Sequence, residues 1–143
     1  MKNIVLLVCA LLLVCCSANR SVSMAGTYKA PEWSIPELVL ARLKNMSVAA
    51  NEHLDLKKDF TFTYSNCSIN GSGHWKLNND TLLVYFKKKR LIIDELNDDP
   101  KYKPATRCDS IPWKFFVSKN GTVIKYFEKR KNGRTMLVEL HRY

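Results

Sequence analysis

From His53 to the end of the chain, apolar and polar residues alternate with a period of two. Leu54 and Leu56 alternate with His53 and Asp55, Lys57-Lys58-Asp59 turns the chain, and Phe60, Phe62 and Tyr64 alternate with Thr61 and Thr63. This predicts a hairpin with one apolar face, because successive side chains of a strand point to opposite sides. After the turn-rich Asn70-Gly71-Ser72-Gly73 comes a strand carrying Trp75 and Leu77. Asn78-Asn79-Asp80 turns into another, with Leu82, Val84 and Phe86 in phase. Lys87 to Arg90 either ends that strand or continues it into Leu91-Ile92-Ile93. Residues 94–111 hold Asp98-Asp99-Pro100 and Pro104 and read as mostly loop. Beyond it, Trp113, Phe115 and Val117 alternate with Lys114 and Phe116, and Asn120-Gly121 signals a tight hairpin. Thr122 to Glu128 returns, Asn132-Gly133 turns, and Met136, Val138 and Leu140 share one face of a last strand.

Upstream of His53 the pattern changes. Gly26-Thr27-Tyr28-Lys29 reads as a first short strand, and Pro36 suits the first position of a helix. Glu37 to Met46 places Leu38, Val39, Arg42 and Leu43 near one face, so a short amphipathic helix is expected near 36–46. The expected domain is mainly β, with about eight strands in successive hairpins. Such a sheet must curl or close to bury its apolar face. The prediction is an antiparallel up-and-down barrel, with a strongly curved open sheet as the alternative.

The first residues follow another logic. Lys2 precedes an unbroken apolar run from Ile4 to Val14, which ends on Cys15-Cys16-Ser17-Ala18. A basic start, an apolar core and small residues at the exit make an export signal. The run is too short to span a hydrocarbon layer, which takes about twenty residues. Two cleavage readings stand: a lipoprotein peptidase cutting before Cys16, whose thiol is then acylated, or an ordinary peptidase cutting after Ala18. The expected organisation is a signal at 1–16 (alternatively 1–18), a tether at 17–25 and a β domain at 26–143. Acyl chains on Cys16 would hold that domain on a membrane.

An exported address narrows what the charge means. Lys and Arg number 23 against 13 Asp and Glu, a formal charge of +10. Exported proteins rarely meet nucleic acid, so no such partner is expected. Anionic lipid or acidic glycan is the natural polyanion, with plain solubility as the bland explanation. The basic runs Lys87-Lys88-Lys89-Arg90 and Lys125 to Arg134, with Lys129, Arg130 and Lys131 at a hairpin tip, would touch such anions or merely blunt strand edges. Cys67 and Cys108 are the only cysteines beyond the signal. Export makes a disulfide between them the expectation, worth roughly 4 kcal/mol on the chain-entropy argument, against two independent thiols.

Two motifs carry a family resemblance. Leu54-x-Leu56-x-x-Asp59-x-x-Phe62-x-Tyr64 and Gly73-x-Trp75-x-Leu77-x-x-Asp80-Thr81-Leu82 resemble the small lipocalin-like lipoproteins of Bacteroidetes-type bacteria. Gly26-Thr27-Tyr28 stands where lipocalins carry Gly-x-Trp, and Phe60 replaces the usual Gly after the first turn's Asp. The resemblance implies a lipocalin-like barrel and an outer-membrane location, secretion in soluble form being the alternative. It brings no catalytic residues.

No site chemistry contradicts that. His53, His74 and His141 each fall opposite an apolar face, without ligand spacing, so neither a metal nor another cofactor is expected. No nucleophile elbow or P-loop occurs, and Asp59 and Asp80 sit in turns, so the chain is not expected to be an enzyme. The aromatic stripe remains. Tyr64, Trp75, Phe86, Trp113 and Phe115 are the candidates to line a cavity for a small apolar or amphipathic ligand, unless they fill it. Three roles stay open: a tethered ligand-binding module, an envelope protein with a solid core and a basic working surface, and an enzyme inhibitor.

Overall fold

A computed structural model describes residues 24–108, 110–130 and 133–143. The expected signal, its cleavage site and Cys16 lie outside the described residues, as do Lys131 and Asn132. Among the described residues nine strands form one sheet: β1 (Gly26–Lys29), β2 (Met46–Val48), β3 (His53–Leu56), β4 (Thr61–Ser65), β5 (Ile69–Asn78), β6 (Thr81–Leu91), β7 (Trp113–Val117), β8 (Val123–Lys129) and β9 (Thr135–Arg142). The order β1-β3-β4-β5-β6-β7-β8-β9 is antiparallel throughout, and β1 pairs back onto β9. The chain is therefore a closed eight-stranded antiparallel barrel. β2 is additional and lies parallel to β9.

The alternation places the core. Leu54, Leu56, Phe62, Tyr64, Trp75, Leu82, Val84, Phe86, Phe115, Val117, Ile124, Val138 and Leu140 are all buried, and on each strand they occupy the in-phase positions. Because neighbours are antiparallel, the β3–β4, β5–β6 and β7–β8 turns share one end. Met24 is there too: the Tyr28 hydroxyl lies 3.1 Å from its carbonyl and 3.0 Å from that of Gly121 in the β7–β8 turn. The β4–β5 and β8–β9 turns, the 92–112 connection and the segment 30–52 occupy the opposite end.

Four expectations change in detail. Phe60 is a turn residue rather than a strand residue, with φ +63°. The Gly71-Ser72-Gly73 stretch lies inside β5, not before it. A Cβ on Gly71 would fall 2.5 Å from the Phe86 ring, and one on Gly73 1.9 Å from the Tyr85 carbonyl. The register shifts between Ser72 and Gly73, so these glycines permit a bulge and a close approach of strands. The Asn120-Gly121 turn is wider than two residues, closed by a Ser118 amide to Val123 carbonyl bond of 2.8 Å. The 92–112 connection is not bare loop: it carries a 3₁₀ turn at Asp94–Asn97 and a short helix at Lys103–Thr106.

The helix α1 (Ile35–Leu43) is a fifth. It starts where expected, with Pro36 in its first turn and the Ser34 amide donating to the Glu37 carboxylate at 2.8 Å. It stops early because Asn45 takes a left-handed φ of +55°, after which Met46 to Val48 pair with Thr135 to Leu137. Its amphipathic face is not buried. No residue of α1 is buried, and Leu38, Val39 and Leu43 are all exposed.

Candidate functional site

The barrel has a seam. The β1–β9 ladder is short, with Tyr28 opposite Arg142 and Lys29 opposite His141, while β2 takes the other end of β9, at Thr135 to Leu137. Between them the chain departs at Ala30 and returns after Val48. Ala30 donates to the Glu52 carbonyl at 2.9 Å, and the Trp33 indole donates to the Ala49 carbonyl at 3.0 Å. These bonds hold the departing and returning segments as the walls of a crevice of about 500 Å³. Lys29, Trp33, Leu38, Glu52, His53 and Tyr143 are among its lining residues, so aliphatic, aromatic and charged groups meet there.

Glu52 is the one charged residue that is buried among the described residues. It sits two residues before Leu54, in phase with the apolar face of β3. Its carboxylate accepts from the Tyr64 hydroxyl, and Asn66 Nδ2 lies 3.2 Å from Glu52 Oε1 and 2.9 Å from the Tyr64 oxygen. Burial raises the Glu52 carboxyl above its ordinary range, against the pull of those two hydrogen bonds. Burial, and then the neighbouring Glu52 charge, push the Tyr64 hydroxyl far above the usual tyrosine range. Tyr64 is thus a fixed donor and Glu52 the group that titrates.

Tyr64 connects this cluster to the interior. Its ring lies 5.8 Å from Phe86 and 5.4 Å from Trp113, both edge-on. Trp113 stacks on Tyr126 at 5.7 Å, and Tyr126 touches Phe115 at 5.6 Å. Of the five candidate ligand residues, Tyr64, Phe86, Trp113 and Phe115 therefore belong to one continuous set of ring contacts. Trp75 lies apart, toward the end of the barrel that holds Met24, where its indole donates to the Lys57 carbonyl at 3.1 Å. The four rings and Tyr126 pack against one another in the interior, and Tyr64 also lines a groove of about 370 Å³ with Thr27, Asp55 and Asn70. Alternation along the strands located these side chains. The seam itself was missed, although an acid in phase with Leu54 and Leu56 was a readable sign.

The remaining candidates scatter. His53 and His74 are exposed, and His141 pairs with Glu139 at 2.8 Å. Among the described residues no group of acids, histidines and cysteines is placed to hold a metal ion. Cys67 and Cys108 are free and exposed thiols, so the expected bridge is not formed in this structure. Cys67 belongs to the β4–β5 turn, whose Ser68 carbonyl binds the Ile92 amide, and Cys108 to the exposed connection beyond, where no packing drives the two together. Lys87, Lys88 and Arg90 on β6 and Lys129 and Arg130 at the β8–β9 turn are exposed.

No family model, curated protein or solved structure matches the chain. What defines the protein is its architecture: a closed antiparallel barrel with a filled aromatic interior and a seam crevice.

Proposed function

We propose that this protein is an exported, lipid-anchored, non-enzymatic module of the cell envelope, akin to the lipocalin-like lipoproteins, that works through its outer surface. The observation that carries this reading is the filled interior. Tyr64, Phe86 and Trp113 pack on one another, and Tyr126 joins Trp113 to Phe115, so these rings meet each other rather than a guest. Interiors of small eight-stranded barrels either fill with side chains or hold one small ligand. Anchored at Cys16, the domain would hang from the end where Met24 emerges and present its opposite end to partners.

A second reading rests on the seam. A crevice of about 500 Å³, walled by Trp33 and bordered by Lys29 and Glu52, has the size and mixed chemistry of a small-ligand site. On this reading the guest is a small amphipathic molecule held outside the core.

Native mass spectrometry of the protein isolated from its producing cell separates the two. A single species at the mass of the acylated chain supports the surface reading. A stoichiometric co-purified metabolite that is lost in Trp33→Ala supports the seam, and one lost in Trp113→Ala overturns the filled interior. Metabolic labelling with a fatty-acid analogue tests the anchor. Label is expected in the wild type and not in Cys16→Ala, and unlabelled wild type would refute the lipoprotein assignment.

A further inference from the structure

Helix α1 wears its apolar side outward. At about 100° per residue, Ile35, Pro36, Val39, Leu40 and Leu43 share one continuous arc, and Glu37, Ala41 and Lys44 share the other. A surface helix normally turns such an arc to the core. Here Ile35 is 79% exposed, Leu43 78%, Leu40 55% and Val39 52%, while Ala41 is the only residue of the helix that is not exposed. The apolar surface continues across the sheet, since Val48 of β2 is opposite Leu137 of β9, and Leu137 is opposite the half-exposed Phe127 of β8.

Positive charge borders this surface. Arg42 and Lys44 close the helix, and the Thr135 amide donates to the Asn45 carbonyl at 3.4 Å, which brings the β8–β9 turn alongside. Lys129, opposite Thr135, and Arg130 and Arg134, joined through the Arg130 amide and the Arg134 carbonyl, stand exposed in that turn. The nearby acids include Glu128, Glu37, which is tied into the helix cap, and Glu139, which is paired with Lys125 and His141.

We infer that α1, with the adjoining Lys129, Arg130 and Arg134, docks onto an anionic lipid surface, the aliphatic arc entering the headgroup region and the basic side chains meeting phosphates. This names the partner of the outer surface proposed above and rests on that reading. Aliphatic side chains beside Lys and Arg are the composition of an interfacial helix, and nine residues are too few to span a bilayer. A second copy fits poorly, because a two-fold contact sets Arg42, Lys44, Lys129 and Arg130 against themselves. A protein partner fits less well than lipid, since lysine is depleted at the centre of such interfaces.

The test is amine-reactive labelling of the mature protein with vesicles of phosphatidylcholine alone or mixed with phosphatidylglycerol, read by peptide mass spectrometry. Labelling of Lys44 and Lys129 should fall roughly tenfold with the anionic lipid, while Lys58, at the tether end, is labelled equally in both. High salt should restore labelling by screening the phosphates. So should Leu40→Glu/Leu43→Glu, which alters only exposed side chains and should melt like the wild type. Equal labelling in the two vesicles, with every variant folded, overturns the proposal. A vesicle-free dimer abolished by Leu43→Glu also overturns it, in favour of a second copy. A metabolite in the core, seen by native mass spectrometry, would defeat the surface reading while leaving the lysine labelling pattern unchanged.

Discussion

Phe60 accepts the Trp75 amide proton at its carbonyl, 2.8 Å away, and lays its ring 5.1 Å from the Trp75 indole. It does so from a left-handed backbone, φ +63°, that a bulky side chain rarely adopts. The β8–β9 hairpin provides a comparison within the same molecule. There the Gly133 amide donates to the Arg130 carbonyl, and Arg130 donates to Arg134, as Phe60 does to Lys57 and Lys57 to Thr61. The left-handed position is glycine in one hairpin, at φ +77°, and phenylalanine in the other. Strain at Phe60 is offset by its packing over the indole.

Two small residues at position 60 separate those effects. Phe60→Ala loses the aromatic contact and keeps the strain, whereas Phe60→Gly loses the contact and relieves it. The glycine variant should be the more stable by about 1 kcal/mol, the usual cost of a left-handed residue bearing a Cβ. Gly133→Ala should cost a similar amount, since its Cβ would meet nothing within 4 Å and strain alone acts. Urea melts of the three variants decide it. Alanine equal to glycine at position 60 would mean the turn carries no strain.

Glu52 gives a pH dependence of definite sign. Its carboxyl is raised by burial, so the folded state holds the proton more tightly than the unfolded chain does. Its contribution is therefore fully present below the ordinary glutamate value of about 4.3 and is lost as pH rises toward the folded value. The stability difference between wild type and Glu52→Gln should shift toward the variant as pH rises from about 4. Tyr64→Phe should steepen that shift by removing a hydrogen bond to the carboxylate. Glu52→Ala leaves the Tyr64 hydroxyl and Asn66 without their partner and should cost about 1–3 kcal/mol near pH 4, and less as pH rises. A wild-type-to-Gln difference constant from pH 4 to 8 would refute the buried-acid account.

The strands were legible because their pattern is a burial pattern: Leu54 and Leu56 of β3, Phe62 and Tyr64 of β4, Leu82, Val84 and Phe86 of β6 and Val138 and Leu140 of β9 are spaced two apart, and all are core residues. What failed to read were positions where one residue type serves two causes. Gly71 and Gly73 punctuate turns elsewhere, but here the Phe86 ring and the Tyr85 carbonyl need the space a Cβ would take. Phe60 continued the alternation of Phe62 and Tyr64 in sequence while its backbone had already turned. The apolar residues of α1 implied a buried face, and an outward-facing arc leaves the same spacing. The seam is a long-range pairing of residues 28 and 29 with 141 and 142, which no local period reveals.

The cysteines allow a direct check on the unbridged state. Cys67 and Cys108 are both exposed thiols. Both should react with iodoacetamide in the native protein, at rates close to those in urea, and neither Cys→Ser change should move the melting temperature measurably. A crosslinked Cys67–Cys108 peptide in non-reducing maps of the native protein would show that the bridge expected from the sequence forms after all.

Large substitutions in the barrel should rank by burial. Trp75 is 2% exposed, and besides Phe60 it is held by the indole bond to the Lys57 carbonyl at 3.1 Å. Trp75→Ala should cost about 3–5 kcal/mol, through lost burial and the cavity left behind. Trp113 is only half-buried, and its ring rests on Tyr64, Phe86 and Tyr126 near the far end of the barrel. Trp113→Ala should therefore fall at or below the lower end of that range, since the end is more open and its neighbours can relax. Lys129→Ala, at an exposed turn, should change stability by less than about 0.5 kcal/mol. Denaturant melts at constant pH read all three. If Trp113→Ala proves the costlier of the two tryptophan variants, the stabilising centre lies in the aromatic set around Tyr64, and the turn that Phe60 and Trp75 close is secondary to it.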